Sequence, residues 1–317
     1  MPSALTLRAG PDALALVRER GLRADDVEIV PGASGGAKWL VLAGLDRYLF
    51  GELLQAPRAR PMHLIGSSIG SWRMACLAQR DPVAALDRAH RYYVHEQRYS
   101  SRRPTPQEVS EVLGAALDRL LGATGVAEIL AHPWARLHVL TTRARGAAAA
   151  ARRGTLLAGF GLAAAANVLT RRSLALQFRR AIFHSAGDAS PFAALVDLPT
   201  EHHALTAATL RPALAASGSI PLLMEGVRIP GPTGAPLPGL FWDGGILDYH
   251  LDLDFDAGAL ADARVTSDEP GRLVLYPHFY AHVVPGWFDR QLGWRRVTGA
   301  ARSANFRRAL LIAPSDA

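Results

Sequence analysis

The stretch His63–Arg73 reads HLIGSSIGSWR and contains the pattern that decides the fold. It opens with a short predicted strand, His63–Ile65, and the amphipathic run Ile69–Gln79 predicts a helix. Between them, Gly66 and Gly70 flank Ser68 in a G-x-S-x-G pattern, which needs glycine on both sides because the turn from strand to helix is tight. Ser68, at the tip of this turn, is therefore a candidate nucleophile.

The same order of strand, glycine turn and helix occurs earlier in the chain. Residues 27–30 predict a strand, a glycine-rich turn covers 32–36, and residues 37–49 have a helical pattern. Repetition of this unit is typical of an α/β fold with three layers, in which helices cover both faces of a mostly parallel central sheet. Ligands of such sheets bind where strands end. Further strands are predicted at 137–142, 240–242 and 272–276.

Several helices have recognisable start signals. Asp81 and Thr105 each stand as an N-cap residue directly before a proline, which favours the first helical position. Residues 11–20 and 211–216 also predict helices. The aromatic and basic stretches 285–288 and 294–296 fit either contact with lipid or a C-terminal helix packed against the domain.

Composition is that of a globular protein, with 317 residues of which 49% are hydrophobic and 20% charged. We predict a single domain over residues 1–317, with a helical lid or interfacial insertion near 143–200. One cysteine, Cys76, excludes an intramolecular disulfide and favours a reducing compartment. The first residues lack the pattern of a secretory signal, so we expect a cytoplasmic protein.

The net charge of +7 is carried almost wholly by arginine, since Lys38 is the only lysine. A basic surface attracts nucleic acid, acidic lipid head groups or acidic substrates. No recognition-helix or RNA-stacking motif is present, and we therefore do not expect a nucleic-acid partner.

The longest apolar stretch, 155–169, is too short for the roughly 20 residues of a membrane span. Arg152 and Arg153 precede it, and Arg171 and Arg172 follow it. A short apolar helix between arginines suits shallow insertion into an anionic lipid interface, with peripheral membrane contact. It also fits a buried helix that covers the sheet, or a subunit contact, and these alternatives stay open.

A second glycine motif, residues 32–38 (GASGGAK), lies at another turn from strand to helix. Consecutive glycines let backbone N–H groups converge on one point, which suits an oxyanion or a phosphate. The motif is not a P-loop, because that pattern requires Gly-Lys-Ser/Thr, and it is not a dinucleotide fingerprint.

Asp243-Gly244-Gly245 follows the apolar approach 239–242. A carboxylate at a strand end, with glycines behind it, can approach a serine hydroxyl as a general base.

These motifs, in this order, resemble those of the patatin-like phospholipases. That family has a glycine-rich loop ending in Gly-Gly-x-Lys/Arg, then G-x-S-x-G, and much later Asp-Gly-Gly or Asp-Gly-Ala. A fourth block, Ala-Ser-x-x-x-Pro, is matched by residues 216–221. The resemblance covers residues 27 to 245. Ser34 and Trp39 depart from the glycines usual at the two ends of the family's loop, which affects the loop's shape.

The resemblance implies hydrolysis of lipid acyl esters (phospholipid, lysophospholipid or neutral lipid) by a Ser68–Asp243 dyad through an acyl-enzyme. It further implies that the N–H groups of Gly35 and Gly36 hold the oxyanion. Lys38 is expected to anchor the loop or to touch an anionic head group. No metal ion or other cofactor is implied.

Two other functions fit the motifs. An ordinary α/β-hydrolase triad has the chain order Ser, Asp, His, which Ser68, Asp243 and either His278 or His282 satisfy. The absence of a His-Gly-Gly oxyanion loop favours the dyad. A catalytically silent lipid- or anion-binding protein on the same fold is the remaining alternative.

Overall fold

The computed structural model describes residues 4–56, 58, 60–150, 152–185, 190–256, 272–299 and 303–315. The strands of this described part are β1 Leu5–Ala9, β2 Val27–Gly32, β3 Met62–Ser67, β4 Ala135–Ala144, β5 Phe178–Ser185, β6 Thr200–Leu205, β7 Phe241–Asp243, β8 Leu273–Pro277 and β9 Ala309–Pro314. Its α-helices are α1 Pro11–Arg20, α2 Ala43–Gly51, α3 Ile69–Leu77, α4 Pro82–Arg91, α5 Pro106–Leu121, α6 Gly125–Leu130, α7 Arg153–Leu169 and α8 Leu210–Ser217.

The strands form one mostly parallel sheet in the order β1-β9-β8-β2-β3-β4-β5-β6. Neighbours from β9 to β4 pair in parallel, whereas β1 joins β9 and β5 joins β4 in antiparallel orientation. The short strand β7 lies off this path and pairs antiparallel with β4. The α/β architecture predicted from the repeated strand–turn–helix unit is confirmed.

Alternate residues of the central strands serve two apolar cores. Leu64 of β3 packs in a core with α1, α3, α4, α5 and α8, whereas Ile65 faces the opposite core. Loop residues and 3-10 turns form much of this second layer. On the same side, α7 covers one end of the sheet, where the Phe160 ring lies 5.3 Å from the ring of Phe178 in β5. Helices thus cover both faces, although unequally.

The strands predicted at 27–30, 63–65, 137–142, 240–242 and 272–276 are all confirmed to within two residues at each end. The predicted N-caps are also confirmed. Asp81 accepts from the N–H of Ala84, and Thr105 accepts from the N–H of Glu108. Strands β1, β5, β6 and β9 were not predicted. In β5 and β6 the pattern is hidden, because arginine, histidine and glutamate stand in place of a clear apolar alternation.

The helix predicted at 37–49 differs in its first half. Gly36 has a φ of +55°, and a 3-10 helix runs over Gly36–Leu42 before the α-helix begins at Ala43. The left-handed backbone of the glycine turn prevents regular α-helical geometry from starting at residue 37.

The prediction of a C-terminal helix within 285–296 is wrong. This stretch has only two short 3-10 turns, Trp287–Asp289 and Gly293–Arg295, and the last described element is strand β9. Gly286 and Gly293 interrupt the helical pattern, while Phe288 packs against the aromatic rings under α7. Among the described residues, no helix is long and apolar enough to cross a bilayer.

Candidate active site

Ser68 lies in the turn between β3 and α3 with a strained backbone, at φ 56° and ψ −132°. The flanking glycines are required by close packing. A Cβ on Gly66 would lie 2.4 Å from the backbone nitrogen of Ser71, and a Cβ on Gly70 would lie 2.0 Å from the carbonyl oxygen of Gly32. The G-x-S-x-G pattern therefore holds the end of β3 against the end of β2, with the serine at the tip of the turn.

Two serines hold this turn in place. The backbone N–H of Ser68 donates to Ser217 Oγ over 2.9 Å, and Ser217 Oγ donates to the carbonyl of Leu140 over 2.6 Å. Ser71 Oγ donates to the carbonyl of Ser68 over 2.7 Å. Because all these groups are buried, the bonds fix the unfavourable backbone of Ser68.

The pairing of β4 brings Asp243 to the same place. Ser67, at the end of β3, pairs with Leu140, and Asp243, at the end of β7, pairs with the next residue, Thr141. Strands β3 and β7 thus pair with successive parts of the same edge of β4 and run in opposite directions. Their C-terminal ends meet at Leu140 and Thr141. A Cβ on Gly244 would lie 2.3 Å from the carbonyl oxygen of Leu140, so the tight approach requires glycine after Asp243.

Ser68 and Asp243 are in direct contact. Ser68 Oγ donates a hydrogen bond to Asp243 Oδ2 over 2.7 Å, while Asp243 Oδ1 accepts from the N–H of Gly245 over 2.6 Å. Burial raises the pKa of Asp243 to about 6, and the hydrogen bonds from Ser68 and Gly245 offset part of that effect. A carboxylate with this pKa is ionised at neutral pH and can accept a proton from the hydroxyl.

The glycine loop faces the same space. Gly35 and Gly36 line a cavity of about 310 Å³ together with Ser68 and Asp243. A Cβ on Gly35 would lie 2.5 Å from the ring of Phe279, which excludes any larger residue there without a shift of that ring. Ser34 Oγ donates to Ser67 Oγ over 2.9 Å, so the serine that replaces the family's glycine ties the loop to strand β3.

Lys38 also lines the cavity. Its ammonium group lies 5.1 Å from the centre of the Tyr280 ring and 5.7 Å from that of Phe279, within the range of cation–π contacts. The structure thus brings together all five predicted site residues. The cavity wall also includes Ile220, Pro221, Ile246, Tyr249, Trp287 and Arg290. The sequence had marked Ile220 and Pro221, within the Ala-Ser-x-x-x-Pro block, and Trp287, within the aromatic stretch 285–288.

A buried arginine holds the segment that follows Asp243. The guanidinium of Arg180 donates from Nε and Nη2 to the carboxylate of Asp248 at 2.7 Å each, and from Nη1 to Asp197 at 2.7 Å. These carboxylates raise the pKa of Arg180, although its burial acts in the opposite direction. No motif identifies this network, because its members are isolated residues far apart in the sequence.

The two histidines of the alternative triad, His278 and His282, are not among the residues that line the cavity. His278 is fully buried, and its Nδ1 accepts from the backbone N–H of Tyr280 over 2.9 Å. Burial lowers the pKa of His278 to about 3. The ring of His282 stacks on that of Tyr280, with centroids 5.2 Å apart. No histidine is among the described residues that line the cavity, so the structure does not bring a third triad member to Asp243.

Within the described ranges, no group of three or more His, Cys, Asp or Glu side chains is arranged to hold a metal ion. The chemistry available at the cavity is that of a serine hydroxyl, a carboxylate of raised pKa and a glycine loop. Residues 32–250 match the family model described as patatin-like phospholipase. The chain belongs to this family. Its members are lipid acyl hydrolases, and the family's α/β fold is the one observed.

This patatin-like match begins at the glycine loop and ends just past Asp243, so it includes every predicted site residue. A comparison with the curated proteins gave no match, and neither did a comparison with the solved structures.

Proposed function

We propose that this patatin-like protein hydrolyses acyl esters of lipids with a Ser68–Asp243 dyad. The observation that carries the proposal is the 2.7 Å hydrogen bond from Ser68 Oγ to Asp243 Oδ2, in a cavity whose wall includes apolar side chains. Phospholipids, lysophospholipids and neutral lipids all present such an ester. Ile246 and Trp287 offer the cavity surface on which an acyl chain can pack.

The reaction has two halves. Ser68 Oγ attacks the ester carbonyl carbon as its proton moves to Asp243, and collapse of the tetrahedral intermediate expels the alcohol, which takes that proton. Water then attacks the acyl-enzyme, again giving a proton to Asp243, and the second collapse returns the proton to Ser68 Oγ as the fatty acid leaves. The raised pKa of Asp243 suits both directions of proton transfer near neutral pH.

The negative charge on the carbonyl oxygen needs hydrogen-bond donors. The N–H of Ser68 is engaged by Ser217 and is therefore not free for this purpose. Among the described residues, no group accepts a hydrogen bond from the N–H of Gly35 or of Gly36, and both glycines line the cavity. This supports the glycine loop as the oxyanion hole.

Lys38 has two roles in this proposal: it anchors the glycine loop and it binds an anionic head group of the substrate. Its cation–π contacts with Tyr280 and Phe279 support an anchoring role, because they tie the helical turn after the glycines to the segment that follows β8. Its position at the cavity, with Arg290 also in the wall, supports recognition of an anionic head group.

Turnover of p-nitrophenyl butyrate by the purified full chain tests the dyad. We expect Ser68→Ala and Asp243→Asn each to abolish turnover with the fold retained, as judged by circular dichroism. The double variant should be little worse than either single variant, because members of a catalytic unit fail together. Ser101→Ala, at an exposed serine away from the cavity, is the matched control and should keep wild-type activity. Full activity of Ser68→Ala would overturn the assignment.

The substrate class is tested by product analysis on a mixture of phospholipids, lysophospholipids and neutral lipids. Release of fatty acid that disappears with Ser68→Ala supports lipid acyl hydrolysis. A folded wild-type protein that binds these lipids but releases no fatty acid would instead be a silent lipid-binding protein.

A further inference from the structure

Helix α7 is apolar on both of its sides, but only one side is packed. The side that covers the sheet contains Phe160, Ala163 and Asn167, the last fully buried. The opposite side faces solvent, with exposed fractions of 44% for Leu157, 56% for Leu162, 47% for Val168 and 87% for Leu169. These residues recur at helical spacing and form one continuous stripe, which we call the outer face of α7.

The outer face has no charged residue. From residue 154 to residue 170 the sequence is GTLLAGFGLAAAANVLT, so the exposed positions are Leu, Val, Ala, Gly and Thr. A helix at the surface of a soluble domain normally exposes charged side chains to water, because they keep their hydration there. A fully apolar exposed helix side therefore points to a partner that covers it.

The sequence on either side of α7 is rich in arginine, of which Arg143, Arg171, Arg179 and Arg180 pair with carboxylates from other parts of the fold. Between Glu128 and Asp188 the chain contains no aspartate or glutamate, and its arginines there are Arg136, Arg143, Arg145, Arg152, Arg153, Arg171, Arg172, Arg179 and Arg180. At the two ends of α7, the side chains of Arg152 and Arg172 are exposed. An apolar stripe with exposed cations at both ends matches the apolar interior and anionic head groups of a lipid surface.

The active-site cavity adjoins α7. The turn Trp287–Asp289 connects them, since Trp287 lines the cavity and the carboxylate of Asp289 accepts a hydrogen bond from Asn167 Nδ2 over 2.8 Å. Arg171 and Arg295 also pair with Asp289, which is fully buried. The cavity wall and α7 are thus joined through one short turn and its charge-paired contacts.

We propose that the outer face of α7 docks onto an anionic lipid bilayer, with Leu157, Leu162, Val168 and Leu169 in the head-group boundary and the exposed Arg152 and Arg172 on lipid phosphates. This inference rests on the proposed function in one respect: docking would bring the cavity to a water-insoluble ester. A second copy of the chain fits less well. A twofold contact would place the same basic region against itself, where the arginines repel each other.

Flotation of the full chain with vesicles tests the docking. Wild-type protein is expected to float with vesicles of phosphatidylcholine and phosphatidylglycerol, and less with phosphatidylcholine alone. Leu162→Asn with Leu169→Asn should weaken binding at least about tenfold, because two leucine side chains no longer transfer from water. The matched control, Leu7→Asn with Leu14→Asn, changes two other exposed leucines on β1 and α1 at the far edge of the sheet and should bind as wild type does.

A second pair of variants tests the charge. Arg152→Gln with Arg172→Gln should reduce binding to the anionic vesicles about tenfold, since each basic residue near a charged surface contributes to attraction. Arg8→Gln with Arg18→Gln makes the same charge change at exposed positions on β1 and α1 and should have a smaller effect. Equal losses in both pairs would mean that binding follows net charge alone, which contradicts docking through α7.

The remaining outcomes separate this inference from the proposed function. Ser68→Ala should float as wild type does, because docking precedes chemistry, and all surface variants should keep turnover of p-nitrophenyl butyrate. Wild-type protein that turns over this ester but does not float contradicts the docking alone. A dimer in analytical ultracentrifugation that dissociates on Leu162→Asn with Leu169→Asn would assign the outer face to a second copy instead. If that variant unfolds, as judged by circular dichroism, the milder single change Leu169→Asn, at the most exposed position, replaces it and must weaken flotation.

Discussion

Ser217 Oγ accepts a hydrogen bond from the backbone N–H of Ser68 and donates one to the carbonyl of Leu140, and so links the turn that contains Ser68 to strand β4. Ser217 is the last residue of α8, and Leu140 is the residue of β4 that pairs with Ser67. A single hydroxyl therefore fixes the distance between the serine turn and the strand that aligns Asp243.

Replacement of Ser217 by alanine is expected to lower kcat for a soluble ester by about tenfold to a hundredfold, with little change in KM. The variant leaves the N–H of Ser68 buried without an acceptor, which costs about 1–3 kcal/mol and lets the nucleophile shift from its productive position. Steady-state kinetics on p-nitrophenyl butyrate measures both constants.

Ser219→Ala is the control for this prediction. Ser219 lies two residues away, and its hydroxyl donates to the carbonyl of Glu225 without touching the serine turn. It should keep kcat within about twofold of wild type, since only a loop contact is lost. An equal loss of kcat in both variants would show that Ser217 acts through general loop stability.

The pH dependence of turnover should follow Asp243. Its carboxylate must be ionised to accept the proton of Ser68, and burial raises its pKa to about 6. We expect kcat/KM to fall on the acidic side with a midpoint near pH 6, and to be about tenfold lower at pH 5 than at pH 8. A profile that stays flat down to pH 4 would contradict Asp243 as the base.

Asp243→Asn is expected to stabilise the fold while it abolishes activity. The raised pKa means that the folded state favours the protonated carboxyl, so this contribution to stability is complete below pH 3.8 and is lost as the pH rises through about 6. At pH 8 the buried charge costs about 2–3 kcal/mol, which the neutral amide avoids. Thermal unfolding should give a higher Tm for the variant at pH 8 and nearly equal values at pH 4. A lower Tm for the variant at pH 8 refutes the prediction.

His278→Asn and His282→Asn should retain most of the turnover, because Asp243 receives the proton directly from Ser68. His278 is buried with its Nδ1 on the backbone of Tyr280, so its replacement is expected to affect stability more than kcat. Kinetics at fixed pH, together with thermal unfolding, separates the two effects. A loss of about 10³ or more in rate from a folded variant would restore the Ser-Asp-His triad.

Much of the fold could be predicted because its central strands are apolar and lead directly into glycine turns and helices. β2, β3 and β4 have this pattern, and they were predicted in place. Strands β5 and β6 could not be recognised, since Arg180 and His203 occupy positions where an apolar residue would mark a strand. Arg180 is buried there only because Asp197 and Asp248 come to it in the folded chain.

The sequence by itself determined the candidates for the site: Ser68 in its glycine turn, Asp243 before two glycines, and the loop containing Gly35, Gly36 and Lys38. Local chemistry is enough for this, because tight turns require glycine and reactions require particular side chains. Only the tertiary structure decided that Ser68 and Asp243, 175 residues apart, meet at 2.7 Å. The pairing of β3 and β7 with consecutive residues of β4 brings them together, and strand register depends on contacts between segments that no local pattern encodes.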